Sequence, residues 1–299
     1  MRILLLVAAA GLLLCASTHA EESWFEDVQQ ALAKARQENK DLFLLYTGSD
    51  WCPACQKFES EVLGEADFVE KAGQHFVLVR LDFPKKKKLP AELVEQNRDW
   101  AEKFGIDGYP TVVLIDLDER PFGISGYRPG GVENYLGILG EFTQQRIRRD
   151  EALSKVEALD GDARARMLDQ AISELDPALV GLYYEDIVAK IVGIDNDDRL
   201  GLRSKWNAAR DAEMRKIIMT DIVVVSRLEK PAVAIAFIDD VLDKIRFSAR
   251  ERLKILQIKL NLLRKANRVQ AMDRLLDEMT AMDELTEDAR QRLTVKKIL

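Results

Sequence analysis

The chain has 299 residues, with 44 Lys and Arg against 51 Asp and Glu, a formal net charge of −7, and only 3 Cys and 2 His. An acidic chain with no long basic face excludes a protein that tracks a nucleic-acid backbone, so no nucleic-acid partner is expected. At this length, with 47% hydrophobic residues, it can bury large cores without disulfide staples and divides most naturally into two domains.

Arg2 precedes an apolar block, Ile3–Ala16, which runs through "STHA" to the acidic "EESWFED"; this is the layout of a secretory signal. As a helix the block is roughly 21 Å long, short of the about 30 Å of bilayer hydrocarbon. Residues 1–20 therefore read as a signal peptide cleaved after Ala20 rather than as an anchor, and the mature protein as periplasmic or otherwise exported. Leu14 stands ahead of Cys15 where lipid-modified signals carry a small residue, which argues against lipid attachment. Cleavage leaves Cys52, Cys55 and a single histidine, His75.

From Trp24 onward, "SWFEDVQQALAKARQENK" places Trp24, Phe25, Val28, Ala31, Leu32 and Ala35 at helical spacing. The short apolar run "DLFLLYTG" then predicts a strand ending in a turn at Gly48, and "HFVLVRLDF", "PTVVLIDLD" and the weaker "FGISGY" predict further strands. Helical stretches fall between and after them, at Pro90–Phe104 and from Val132 to Phe142 or beyond. Strands alternating with helices predict an α/β layer structure. Beyond about Arg146 the strand signals stop. Leu253, Leu256, Leu260 and Leu263 follow helical spacing, as do Met272, Leu275, Leu276, Met279 and Met282. Loosely similar phrases such as "LDQAISELD" and "MDRLLDEMTAMD" suggest stacked antiparallel helix pairs of tetratricopeptide kind, without that repeat's full signature. Gly and Pro are scarce around residues 143–160, so the junction is expected to be a continuing helix.

The chemistry-bearing motif is "YTGSDWCPACQKFES", residues 46–60. Zinc needs about four ligands, and the mature chain offers Cys52, Cys55 and His75 alone. A purely structural disulfide would close a four-residue ring and remove little unfolded-state entropy. A redox pair has a reason at each position. Pro53 suits the first turn of a helix, where its missing N–H costs nothing. Cys52 then lies at the helix N-terminus, where the partial positive charge favours the thiolate that attacks disulfides. Cys55, one turn on, would face inward as the resolving thiol.

"WCPAC" after an apolar strand, with "GYPTVVLID" further along, resembles the thioredoxin superfamily over roughly Glu22–Phe142. "TGSDWCPAC", "LVRLDFPKKKKLPAELVEQN" and "FGIDGYPT" resemble exported bacterial thioredoxin-like proteins that carry a helix before the first strand. The resemblance implies a thioredoxin-like domain over residues 21–148, a central mixed sheet flanked by helices; the helical spacing beyond it predicts an all-α helical-hairpin domain over 149–299. It implies Cys52 as nucleophile, Cys55 as resolving cysteine and Pro110 as a cis-proline facing the pair. The Tyr109 backbone and Trp51 would meet substrate, with Pro53 and Ala54 as the intervening dipeptide. No metal and no cofactor beyond the Cys52–Cys55 disulfide are implied; the partners would be protein thiols or disulfides and an electron donor or acceptor. Two positions depart from the family pattern: Tyr46 stands where the family has a buried aspartate, and Arg80 where it has a lysine. Asp50 lies closer to the pair in sequence and, if near it, would oppose thiolate formation.

The remaining features have plainer readings. "PKKKKLP", Pro84 to Pro90, reads as a solvated loop that could meet anionic lipid or an acidic partner. Trp24, Phe25 and the Tyr183-Tyr184 pair read as packing residues. The leading function is an exported thiol-disulfide oxidoreductase that reduces or isomerises protein disulfides, with C-terminal helices that recruit a partner or pair two copies. The alternative is a redox-inactive adaptor or chaperone-like protein acting through those helices, motivated by Tyr46 and the long helical extension.

Overall fold

A computed structural model describes residues 24–282, so the signal-peptide reading of residues 1–20 falls outside the described residues. The α/β part is a five-stranded sheet in the order β1 (Trp24–Phe25), β3 (Phe76–Asp82), β2 (Asp41–Thr47), β4 (Thr111–Ile115), β5 (Pro121–Ser125). β1, β3 and β2 run parallel, whereas β4 and β5 are antiparallel to their neighbours, giving a mixed sheet. Every residue of β2 is buried, as a central strand covered on both faces requires. Period-2 alternation sends Leu42, Leu44 and Tyr46 to one face. There they join Val77, Val79, Leu81, Val113 and Ile115 in a core closed by α1 (Val28–Glu38) and α4 (Ala91–Lys103). Phe43 points to the other face and meets Phe68 and Phe76 edge-on.

Trp24 and Phe25, spaced for a helix, instead form the edge strand β1 beside Leu78 and Val79. The helix begins only at Val28, because the Asp27 carboxylate accepts from the Gln29 and Gln30 amides and caps it there. The helix that follows Cys52 is not α-helical throughout. α2 spans Pro53–Phe58 and passes into a π-helical turn, Glu59–Leu63. That turn closes where the Gly64 amide donates to the Glu59 carbonyl at 2.8 Å. A Cβ at Gly64 would sit 2.9 Å from the same oxygen, so only glycine fits without a shift. α3 (Ala66–Ala72) follows.

α5, Gly131–Val156, continues without a break from the α/β part into the helical part. Its first half packs Tyr135 against Phe58 and Phe68. Farther along, the buried Arg149 guanidinium donates to Asp116 Oδ2 and to the Tyr184 hydroxyl, both at 2.6 Å, and that hydroxyl donates to the Pro121 carbonyl at 3.0 Å. Tyr184 is thus a packing residue with a polar anchor. α6 (Gly161–Ile172), α7 (Pro177–Tyr183) and α8 (Glu185–Ile194) complete this region.

The chain divides into two compact units, the first ending at Trp206 and the second starting at Asn207. α9 (Leu202–Leu228) is followed in the second unit by α10 (Pro231–Lys244), α11 (Ala249–Lys265) and α12 (Val269–Thr280). Leu256, Leu260, Leu263, Leu275, Leu276 and Met279 are buried in one cluster, with Leu253, Met272 and Met282 packed against it. The helical spacing thus delivers one apolar face from each of two helices. Ser248 and Glu251 form a reciprocal capping box that starts α11. Among the described residues, no helix is long and apolar enough to cross a membrane.

Candidate functional site: a cysteine pair at a helix N-terminus

The end of β2 delivers the chain into a tight loop, Gly48–Trp51, from which α2 starts with Cys52 as its N-cap and Pro53 in the first turn. Pro53 has no amide to leave unsatisfied there. Cys52 and Cys55 are joined as a disulfide with Cα atoms 5.2 Å apart. The Cys55 amide donates to Cys52 Sγ at 3.2 Å, and the Gly48 amide donates to Cys55 Sγ at 3.5 Å. Both interactions place N–H dipoles on sulfur, and the α2 N-terminus adds its partial positive charge at Cys52. A thiolate formed at either sulfur on reduction is favoured by these donors.

The opposite wall is the segment before β4. The Tyr109–Pro110 peptide bond is cis, and the Tyr109 carbonyl lies 3.7 Å from Cys52 Sγ. Trp51 packs its indole edge-on against the Tyr109 ring, with centroids 5.8 Å apart, and donates through Nε1 to the Phe83 carbonyl at 2.8 Å. Its ring also lies over Gly48, where a Cβ would meet indole carbon at 2.6 Å. Cys52, Cys55, Trp51, Tyr109 and Pro110 are therefore assembled in one place by the ends of β2 and β4 and the start of α2, with Pro53 and Ala54 on the exposed first turn. His75 is not among them. It precedes β3 at the far end of the sheet, where its carbonyl accepts from Asp41, about 20 Å away along a seven-residue strand. Among the described residues, no group of three or more His, Cys, Asp or Glu side chains is placed to hold a metal ion.

The two departures take distinct roles. Tyr46 is fully buried on the α4 face, and its hydroxyl donates to the Trp100 carbonyl at 3.1 Å. Burial pushes its pKa far above the ordinary tyrosine value, so it stays protonated and cannot take up a thiol proton. Arg80 lies on the opposite face and holds Glu59 through both carboxylate oxygens, at 2.8 and 3.0 Å, with its guanidinium over the Trp24 ring. The buried carboxylate bonded to the cysteine loop is Asp82, which sequence reasoning missed. It accepts from the Ser49 amide at 3.0 Å and the Ser49 hydroxyl at 2.6 Å, next to the Gly48 amide that faces Cys55. The available signal was its place at the end of "LVRLD", one strand over from Thr47 in the parallel register.

Asp50, the other acid near the pair in sequence, is engaged by the lysine loop. Its carboxylate accepts the amides of Lys85, Lys86 and Lys87 at 2.9, 2.6 and 2.9 Å. These bonds, that from Lys85 foremost, lower its pKa.

Two sulfurs linked in a short ring, bathed in N–H donors and facing a carbonyl edge, are set up for exchange with another thiol or disulfide. Fold and site together define a thiol-disulfide oxidoreductase. A family model described as a thioredoxin-like domain matches residues 28–137. The disulfide bond reductase DsbH of Chlamydia pneumoniae is 33% identical over 112 residues, covering 38% of this chain and 68% of that protein. The thioredoxin-related protein DsbJ of the same organism is 29% identical over 133 residues, which is 44% of this chain and 37% of its own length. A solved DsbH oxidoreductase structure aligns over 40% of this chain and 83% of that one, with 31% identity and a TM-score of 0.39. The chain belongs to the thioredoxin superfamily.

Proposed function

We propose that this protein is an exported thiol-disulfide oxidoreductase that reduces or isomerises disulfides in other proteins through Cys52-Pro53-Ala54-Cys55. The observation that carries the reading is the capping geometry: Cys52 is the N-cap of α2 and its sulfur accepts the Cys55 amide. In the reductive half-reaction the Cys52 thiolate attacks one sulfur of a substrate disulfide. A Cys52–substrate S–S bond forms, the substrate bond breaks, and its other sulfur leaves as a thiolate that takes a proton. Cys55 then loses its proton and attacks Cys52 Sγ, which restores the internal disulfide and releases the second substrate thiolate. Two electrons pass from the pair to the substrate, and a partner dithiol must return them. A substrate chain would lie along the Tyr109 and Pro110 backbone beside Trp51. Export rests on the signal-like residues 1–20. The similarity to a protein described as a disulfide bond reductase supports the reductive direction. Exposed Met214, Leu228 and Val233 on the helices support their use in binding a partner or a second copy.

The test is a redox titration of residues 21–299 in glutathione buffers, with the thiols of Cys52 and Cys55 counted by alkylation. A reversible transition near about −270 mV marks a reductase, and one nearer about −180 to −120 mV an isomerase or oxidant. Cys52→Ser should abolish turnover, and Cys55→Ser should accumulate mixed disulfides with substrate. Turnover at the normal rate without Cys52 would refute the mechanism.

A further inference from the structure

The run Lys85–Lys88 leaves four consecutive ammonium groups exposed on a chain whose net charge is −7. Its backbone is pinned to the cysteine loop by the three amide bonds to Asp50, whose carboxylate also attracts the Lys86 ammonium. Lys85 Nζ sits 3.8 Å above the centroid of the Trp51 ring, which ties the run to the wall of the disulfide site. None of the four lysines forms an ion pair among the described residues. Beside them lies a groove of about 380 Å³ whose lining includes Phe83, Lys87, Lys88, Leu89 and Val94, with Asp82, whose carboxylate accepts from Ser49, as its one acid. Phe83 is shared with the site: its ring packs on Tyr109 at 5.1 Å, and its carbonyl holds the Trp51 indole. The groove therefore continues the wall along which a substrate would lie.

We propose that this loop and groove dock a carboxylate-rich segment of the protein substrate, next to the disulfide that Cys52 attacks. This names the substrate class for the oxidoreductase reading and rests on it. The apolar floor of Leu89 and the half-exposed Val94 takes an aliphatic side chain of that segment, while its carboxylates meet Lys86, Lys87 and Lys88. A second cleft bordered by Lys87, about 810 Å³, also carries Glu26, Asp27 and Glu59. Asp82 also lines that cleft, and its four acids outnumber Arg80 and Lys87, whereas the groove of Leu89 and Val94 sets one acid against two lysines, so a carboxylate-rich ligand favours the groove. Because the loop is held in place before the substrate arrives, docking loses little loop entropy.

The test compares two synthetic peptides that share one intramolecular disulfide, flanked by glutamates in one and glutamines in the other. Pre-reduced residues 21–299 reduce each peptide under pseudo-first-order conditions. The second-order rate constant for the glutamate peptide should exceed that for the glutamine peptide by about tenfold at low ionic strength. The ratio should fall toward one in concentrated salt. The triple variant Lys86→Gln, Lys87→Gln, Lys88→Gln should bring the ratio to about one, and the corresponding Lys→Glu variant should invert it. Lys85 is left intact because it touches Trp51. A ratio of one in the unaltered protein, or an unchanged ratio in both variants, overturns the proposal. So does a flat ratio accompanied by lysine-dependent binding to phosphatidylglycerol vesicles, which would assign the loop to a lipid surface. Failure to reduce either peptide would instead refute the oxidoreductase reading beneath it.

Discussion

Tyr46→Phe separates the structural role of the buried phenol from any part in proton transfer. The hydroxyl makes one neutral hydrogen bond, 3.1 Å long, to the Trp100 carbonyl. That carbonyl also accepts the Phe104 amide at 3.3 Å, so deletion of the hydroxyl does not orphan it. The substitution therefore loses the net value of one bond, about 1 kcal/mol, without the further desolvation penalty of an abandoned acceptor. Chemical denaturation followed by tryptophan fluorescence should show this small loss for both the oxidised and the reduced protein. The pH dependence of disulfide reduction should keep its midpoint, since a phenol held far above its ordinary pKa is protonated in the parent throughout the working range. A tenfold slower rate or a displaced pH profile in Tyr46→Phe would show that the hydroxyl exchanges a proton with the cysteines. A stability loss above about 3 kcal/mol would refute the hydrogen-bond accounting.

Arg149→Leu should be severe, costing about 3–5 kcal/mol in denaturant unfolding, because it leaves the buried Asp116 carboxylate without its cation; a loss below about 1 kcal/mol would show that Asp116 is solvated. Gly48→Ala should displace the Trp51 indole, seen as a shifted emission maximum and a slower reduction rate, because the new methyl falls 2.6 Å from the ring. Asp50→Asn weakens the acceptor of three amides, so hydrogen exchange at Lys85, Lys86 and Lys87 should accelerate; unaltered protection would show that the loop is held otherwise. Asp41 has its pKa pushed up to about 6 by burial, against the opposing pull of Arg146. The folded state then binds more protons than the unfolded one between about pH 4 and 6, so this group's contribution falls as pH rises through that window and is level above it. Asp41→Asn should flatten that part of the stability–pH curve, and an unchanged slope would assign it to another group.

The elements that were legible in the sequence are those whose signal is local. β2, β3 and β4 follow from short apolar runs ending in turns, and the leucine spacing of α11 and α12 was enough to foresee their common buried face. The cysteine spacing with Pro53 likewise carried the expectation of a helix starting after Cys52, because proline preference at a first turn is a property of the backbone alone. Trp24 and Phe25 misled because two residues satisfy a helical period and a strand edge equally well; pairing with Leu78 and Val79 decided between them.

Other features had no local signal at all. Arg149 reaches Asp116 across 33 positions and Asp82 reaches Ser49 across 33, and no periodicity records such partners. The face on which Tyr46 points, and hence its protonated state, follows from the register of β2 between β3 and β4. By itself the sequence determined the cysteine pair, the α/β alternation and the helical extension, since composition and short-range spacing suffice for those. Only the tertiary structure decided which carboxylate touches the cysteine loop and which amides engage Asp50. It also decided that Lys85 lies over Trp51, on the wall of the disulfide site, because charge and burial act through distance in space and not along the chain.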